Sequence, residues 1–243
     1  MIRVFSTPQS AARALANRLA RMLRADPSLV LGLPTGRTPI PLYQHLVELH
    51  RGGRADFSRA TTFNLDEFIG IDAADPRSYR AFMQRHLFDH INISPRRINF
   101  LNGTASDLDR ECARYERAIE RAGGIDLLIL GLGTNGHIGF NEPGRALVAG
   151  THRTRLSAAT RRANADLFGH RASRVPAGAL SMGMATILHA RRIVLLATGA
   201  AKAQCVARMV NGMLTPRVPA SFLQLHRDVD VWLDRGAASR IEE

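Results

Sequence analysis

The sequence predicts an α/β fold: a Rossmann-like, open, mostly parallel sheet with helices on both faces. Three observations lead there. Short apolar runs alternate with helical patterns along the whole chain. Some of these runs, such as 125–130 (IDLLIL) and 192–198 (RIVLLAT), are apolar nearly throughout, the pattern of strands covered on both faces. The runs end in Gly, Pro, Thr or Asn turns (LPTG, LGLGTNGH, TGAAK) that open new segments. With 243 residues, 45% of them hydrophobic, and no long polar linker, one domain spanning 1–243 is expected.

Residues 2–5 (IRVF) read as the first strand. A helix follows over 8–24, with Ala12, Leu15, Leu19 and Leu23 on one face. Residues 28–33 (SLVLGL) form a strand ending in a Gly/Pro/Thr turn, and Pro39 suits the first turn of the next helix, PLYQHLVELH. TTFNLDEF at 61–68 reads as strand then loop. Helices are expected over 78–91 and over 107–122, the latter opened by Ser106-Asp107. Ile125–Leu130 is a buried strand, 178–190 reads as helix, and Arg192–Thr198 as strand. Gly199 then leads into a helix reaching about 211, and Val229–Leu233 is the last strand. Ligands of such a sheet bind at the carboxyl ends of its strands, where loops 34–38, 64–68, 131–142 and 199–202 should gather.

Bulk features narrow the class. No stretch approaches the ~18 apolar residues of a membrane span, and MIRVFSTPQS lacks the apolar region of a signal peptide. Cys112 and Cys205 lie far apart with no metal-type spacing. A reduced, cytoplasmic protein with no metal site and no membrane partner is expected. The net charge of +12 comes from arginines scattered through helices, and aromatics make up 6%, so stacking platforms are few. No nucleic-acid partner is expected; a positive field serves small anionic substrates equally well. Of 33 Lys+Arg, one is lysine: Lys202. An ammonium is a compact point charge with rotatable donors, unlike the planar guanidinium fork.

Four constellations carry chemistry. In Leu33-Pro34-Thr35-Gly36-Arg37-Thr38-Pro39, a strand feeds a helix N-terminus whose free N–H groups and hydroxyls suit a phosphate or carboxylate; the alternative is a tight turn with Thr38 as N-cap. Thr198-Gly199-Ala200-Ala201-Lys202 is a second such junction. A cation there opposes the helix dipole, which a bound anion would offset. Asn64-Leu65-Asp66-Glu67 puts two acids at a strand end, one a general base or both a surface cap. In the fourth, Asn141-Glu142-Pro143-Gly144 turns sharply enough for Glu142 to fold back onto His137 and leave the other ring nitrogen as a base.

LGLGTNGH contains G-x-G-x-x-G, the fingerprint of a dinucleotide site. That site needs a helix opening at the third glycine and an acid roughly 20 residues later for the ribose. Here Gly136 leads into HIGFNEPG, which forbids a long helix, and THRTRLSAAT, where the acid should fall, has none. Gly131 and Gly133 read instead as a tight strand exit. Gly136 reads as a close approach of backbone to ligand, and no nucleotide cofactor is expected.

Taken together, LGLPTGRTPIPLY, TTFNLDEFIG, FLNGTASDLDRECARYE, GGIDLLILGLGTNGHIGFNEPG, VLLATGAAKA and PASFLQLH resemble the glucosamine-6-phosphate deaminases, in order, from the second strand to near the C-terminus. Related 6-phosphogluconolactonases share the fold and a Gly-His pair but differ after the histidine. The resemblance implies conversion of glucosamine 6-phosphate to fructose 6-phosphate and ammonia without metal or redox cofactor. It implies that Asp66 moves the proton between C2 and C1, that His137 acts on the ring oxygen, and that Glu142 orients His137. Thr35, Gly36, Arg37, Thr38 and Lys202 would hold the phosphate.

The chain departs from the family pattern at three places. Asn135 stands where many members have an aspartate; it can orient a neighbour but cannot share a proton. Asp166 stands where the family offers the phosphate an arginine. Arg37 is expected to compensate, with Arg161 or Arg162 as further cations. Positions that receive an allosteric amino-sugar phosphate in the hexameric branch are altered, at Arg145, Ala146, His152 and Thr154. Hyperbolic kinetics and a monomer or small homo-oligomer are therefore expected. The rival readings are a galactosamine-6-phosphate deaminase, a lactonase and a non-catalytic sugar-phosphate sensor. The last of these needs a DNA-binding segment for which the chain leaves no room before its first strand.

Overall fold

The computed structural model describes residues 1–241. Its elements are β1 (Ile2–Phe5), α1 (Pro8–Ala25), β2 (Val30–Leu33), α2 (Ile40–Arg51), β3 (Thr61–Asn64), β4 (Asp66–Phe68), α3 (Tyr79–His86), β5 (Ile98–Asn99) and α4 (Leu108–Arg121). They continue as β6 (Leu127–Gly131), β7 (His152–Arg155), α5 (Ala158–Ala163), β8 (Gly178–Ser181), α6 (Met184–Leu188), β9 (Ile193–Ala197), α7 (Ala203–Asn211), β10 (Val229–Asp234) and α8 (Arg235–Ala238). Seven strands form one sheet in the order β1-β10-β9-β6-β2-β3-β5. Every neighbouring pair in it is parallel, as expected. A second sheet of three antiparallel strands, β4-β8-β7, lies beyond the carboxyl end of β3.

Local chemistry sets the helix ends. Thr7 and Ser10 form a reciprocal capping box at α1, Pro8 takes the first helical position, and Ala12, Leu15, Leu19 and Leu23 are all buried. The helix stops at Asp26, whose extended backbone suits the following Pro27. Asp107 caps α4 by accepting the Arg110 N–H. The central strands separate two cores by their period of two: Leu127 and Ile129 join Leu15, Leu19, Leu42 and Leu46 on one face. Leu128 and Leu130 join Tyr115, Ile119, Val206 and Met209 on the other. Each fully buried leucine contributes roughly 1.5–3 kcal/mol.

The structure differs from the expected elements in four places. The helix expected over 178–190 is a strand, β8, followed by the short α6. Residues 178–181 pair with β4 on one side and β7 on the other, and that double pairing overrides local helix preference. Gly183 then lets the chain turn, since a Cβ there would fall 2.1 Å from the Gly150 carbonyl oxygen. The loop expected after Asn64 is β4. The stretch expected as helix over 78–91 breaks at Leu87 into α3 and a 3-10 turn, Phe88–His90. β5 and β7 carry little apolar signal, and sheet partners decide them. Among the described residues no helix is long and apolar enough to cross a membrane, and neither cysteine is paired.

Candidate active site

The loops after β2, β3, β6 and β9 converge, as expected, on one cleft of ≈ 550 Å³. It is lined by Thr35, Gly36, Arg37 and Thr38, by Asp66, by Asn135 and His137, and by Lys202. Glu142 stands behind Asn135, outside the cleft wall. The sequence did not point to Tyr79, Phe140, Thr160 or Asn164, which line it too. They sit within helical or motif stretches with nothing to mark them, and only packing brings them to the site.

Asp66 and Glu67 point to opposite faces of β4 and have different environments. Glu67 accepts the backbone N–H groups of Phe68, Tyr79 and Arg80 at 2.9–3.0 Å, so it anchors the first turn of α3. Burial pushes its pKa up to about 7, those three bonds opposing the shift. No hydrogen-bond donor among the described residues reaches the Asp66 carboxylate, which faces the cleft. Burial, and then the charge of Glu67, push Asp66 up to about 8. A carboxyl group poised near neutrality and open to a cleft is the environment of a general base. Asn64 holds this edge in place: its amide donates to the Leu33 carbonyl at 3.0 Å, and Tyr115 donates to its own carbonyl at 2.5 Å.

The glycine motif serves His137. A Cβ on Gly133 would lie 2.3 Å from the imidazole, so the ring occupies the space that this glycine leaves open. Gly136 has φ +91 and packs on Val218, which a Cβ would meet at 2.9 Å; its freedom serves a left-handed turn against the protein's own backbone and side chain. No helix opens there: β6 is followed by irregular backbone up to β7.

Glu142 does turn back toward His137, but its Oε2 is 3.9 Å from Nδ1, a charge contact rather than a hydrogen bond. That oxygen instead accepts the Asn135 amide at 2.9 Å, while Asn135 Oδ1 accepts the His137 backbone N–H at 3.2 Å. Asn135 thus aligns the acid and the histidine backbone. Among the described residues, buried His137 Nδ1 has no hydrogen-bond partner. Burial lowers the His137 pKa, with Glu142 opposing the shift and Lys202 adding to it.

In the loop after β2, no side chain caps α2, so Thr38 is not its N-cap. Gly36 has φ +96, which turns the loop 34–38. Gly199 has φ +89, and its N–H is held by Asp234, which places Lys202 in the turn Ala200–Lys202. Burial lowers the Lys202 pKa, and Arg37 adds to the shift. Two cations thus line one cleft, close enough for their charges to act on each other, an arrangement for an anion. Arg37 also reaches across to Asp166 at 3.3 Å, with both side chains largely exposed. Arg161 is occupied elsewhere, donating to the carbonyls of Val175 and Ser173. Neither it nor Arg162 lines the cleft, and the same is true of Arg145, Ala146, His152 and Thr154.

Residues 6–232 match the family described as glucosamine-6-phosphate isomerases/6-phosphogluconolactonase. A glucosamine-6-phosphate deaminase of Clostridium botulinum (strain Loch Maree / Type A3) is 45% identical over 226 residues, which are 93% of this chain and 92% of that protein. A second, from Thermoanaerobacter sp. (strain X514), is 46% identical over 228 residues, 94% and 90% of the two chains. The solved structure of a monomeric glucosamine-6-phosphate deaminase superposes with a TM-score of 0.95 at 42% identity, covering 98% of this chain and 99% of that one. A 6-phosphogluconolactonase from Trypanosoma cruzi gives a TM-score of 0.80 at 20% identity, over 100% and 97% of the chains, and so shares the fold. The chain belongs to the glucosamine-6-phosphate isomerase/6-phosphogluconolactonase family.

Proposed function

We propose that the protein converts glucosamine 6-phosphate and water to fructose 6-phosphate and ammonia. The observation that carries this reading is the Asp66 carboxylate, without a hydrogen-bond donor among the described residues, in the same cleft as His137, Arg37 and Lys202. The relatives at 42–46% identity are deaminases, whereas the lactonase is at 20%. An acid–base mechanism with these side chains requires no metal or redox cofactor.

In this reading His137 acts on the ring oxygen as the sugar opens. Asp66 removes the proton from C2 and returns it to C1. The aldehyde becomes an alcohol and the C2 amine becomes an iminium, to which water adds as ammonia leaves. One base serves both carbons because they are adjacent and held in place. Thr35, Gly36, Arg37, Thr38 and Lys202 hold the phosphate, and that remote binding energy orients the reacting end. Glu142 favours the cationic form of His137, and Asn135 keeps Glu142 aligned. Ammonia release from glucosamine 6-phosphate, absent in Asp66→Asn, tests this assignment; a wild-type protein that releases none refutes it.

A second reading is the galactosamine 6-phosphate epimer, which the Arg37–Asp166 pair at the phosphate end keeps open. Parallel assays on both epimers decide between them. We further propose that 1–243 acts as a single domain, in the cytoplasm, as a monomer or small homo-oligomer. Its rate curve should be hyperbolic; a sigmoidal curve relieved by N-acetylglucosamine 6-phosphate would contradict this.

A further inference from the structure

We infer that Tyr79 is a positioning residue that sets the affinity for the phosphorylated end of the substrate, its hydroxyl holding Asn164 and the α5 wall against the phosphate loop. The inference rests on the sugar-phosphate reading of the cleft. Tyr79 is 4% exposed and lies where the site's segments meet. Its backbone N–H is held by Glu67, next to Asp66. Its ring packs on Phe68 of β4, at 4.6 Å between centroids. It also stacks on Phe140, at 5.9 Å and 19°, within the loop that carries His137 and Glu142. The ring is therefore fixed by the segments that carry the acid–base residues, and the hydroxyl extends beyond them.

That hydroxyl donates to Asn164 Oδ1 at 2.8 Å, and the Thr35 side chain faces it as well. Asn164 Nδ2 donates to the Thr160 carbonyl at 2.9 Å, which settles the orientation of the amide. Ala159, Thr160, Ala163 and Asn164 form a wall of the cleft that loop 34–38 also lines. Other contacts also hold this segment to the site: Phe168 packs edge-on against Phe68 at 5.4 Å between centroids, an apolar contact beyond the cleft-lining residues. Ser157 N–H reaches Glu142 at 3.3 Å, a long bond. The Arg37–Asp166 pair is exposed, and exposed pairs contribute little. The Tyr79–Asn164 bond is short, partly buried and made by two residues that themselves line the cleft, so it is the tether that determines how closely the wall stands to the phosphate loop. Phenylalanine retains the ring packing and removes only the hydroxyl, with its contacts to Asn164 and Thr35.

The test uses calorimetric Kd values for inorganic phosphate and fructose 6-phosphate, with KM and kcat for glucosamine 6-phosphate, in wild type, Tyr79→Phe, Asn164→Ala and the double variant. We expect each single variant to weaken both ligands and raise KM about tenfold, which is about 1.4 kcal/mol and the size of one such hydrogen bond. The kcat should stay within about twofold, and the loss in the double variant should fall short of the sum of the two single losses, because both remove the Tyr79–Asn164 bond. Unchanged Kd values, a loss confined to kcat, or additive losses would each overturn the inference. If Tyr79→Phe does not fold, Asn164→Ala alone decides by the same criteria. Phosphate binding needs no turnover, so a wild-type protein that binds phosphate but releases no ammonia refutes the deaminase reading and leaves this measurement intact.

Discussion

Replacing Gly133 by alanine tests whether the glycine motif exists for the histidine rather than for a nucleotide. The added Cβ would lie 2.3 Å from Cε1 and Nδ1 of His137 and 2.5 Å from Nε2. Ordinary contact begins near 3.4 Å, so the ring would have to retreat by about 1 Å. A displacement of about 1 Å at a reacting group costs about 10²-fold in rate. Overpacking a tight site costs a further ~1–3 kcal/mol of stability. Gly131→Ala is the internal control: a Cβ there meets no protein atom within 4 Å, although it too belongs to the motif. Ammonia release by stopped assay, with thermal melts of both variants, is the measurement. We expect Gly133→Ala to lose about two orders of magnitude in kcat while remaining folded, and Gly131→Ala, whose Cβ meets no protein atom, to retain the wild-type Tm. A Gly133→Ala enzyme with full kcat would remove His137 from the chemistry, or show the ring free to move; either outcome refutes the reasoning.

Asp66 must be ionised to act as a base, so the rate in the free enzyme should rise with pH toward about 8; a profile flat from pH 6 to 8 would count against Asp66. The same raised pKa means that the folded state holds this proton more tightly than the unfolded one. Its contribution to stability is therefore full below pH about 4 and declines up to about 8, and Asp66→Asn should flatten that part of a denaturation-against-pH curve. Arg37→Ala should raise KM, and Asp166→Asn should lower it by up to about fivefold, the reach of an exposed ion pair; an unchanged KM in Arg37→Ala sinks the phosphate role of that arginine. Glu67→Ala strips α3 of the acceptor for its first two N–H groups, and a melt should show a loss of about 1–3 kcal/mol. An unaltered Tm would mean that Ser78 alone suffices to start the helix.

The parallel architecture was legible because a strand buried on both faces has no polar positions. Ile125–Leu130 and Arg192–Thr198 announce themselves without reference to any partner. The small sheet was not legible. Residues 178–181 become strand because β4 and β7 stand on either side, and no local pattern records that.

The site divides in the same way. Sequence alone determined which residue types stand at the carboxyl edge: the acids after Asn64, His137 with Glu142, the 34–38 turn and the single lysine. It also ruled out the dinucleotide reading, because a helix and a distant acid were missing. The resemblance pointed to Asp66; only the tertiary structure showed how the two acids differ, Glu67 accepting three backbone N–H groups while Asp66 faces the cleft. It likewise separated Gly133 from Gly131, by placing a ring against one and open space beside the other. It gave Glu142 to Asn135 rather than to His137, and it brought Tyr79 to Asn164 across 85 residues of chain. A strand's apolar run is a property of its own side chains. Hydrogen-bond partners and excluded volume belong to pairs, and pairs exist only once the chain has folded.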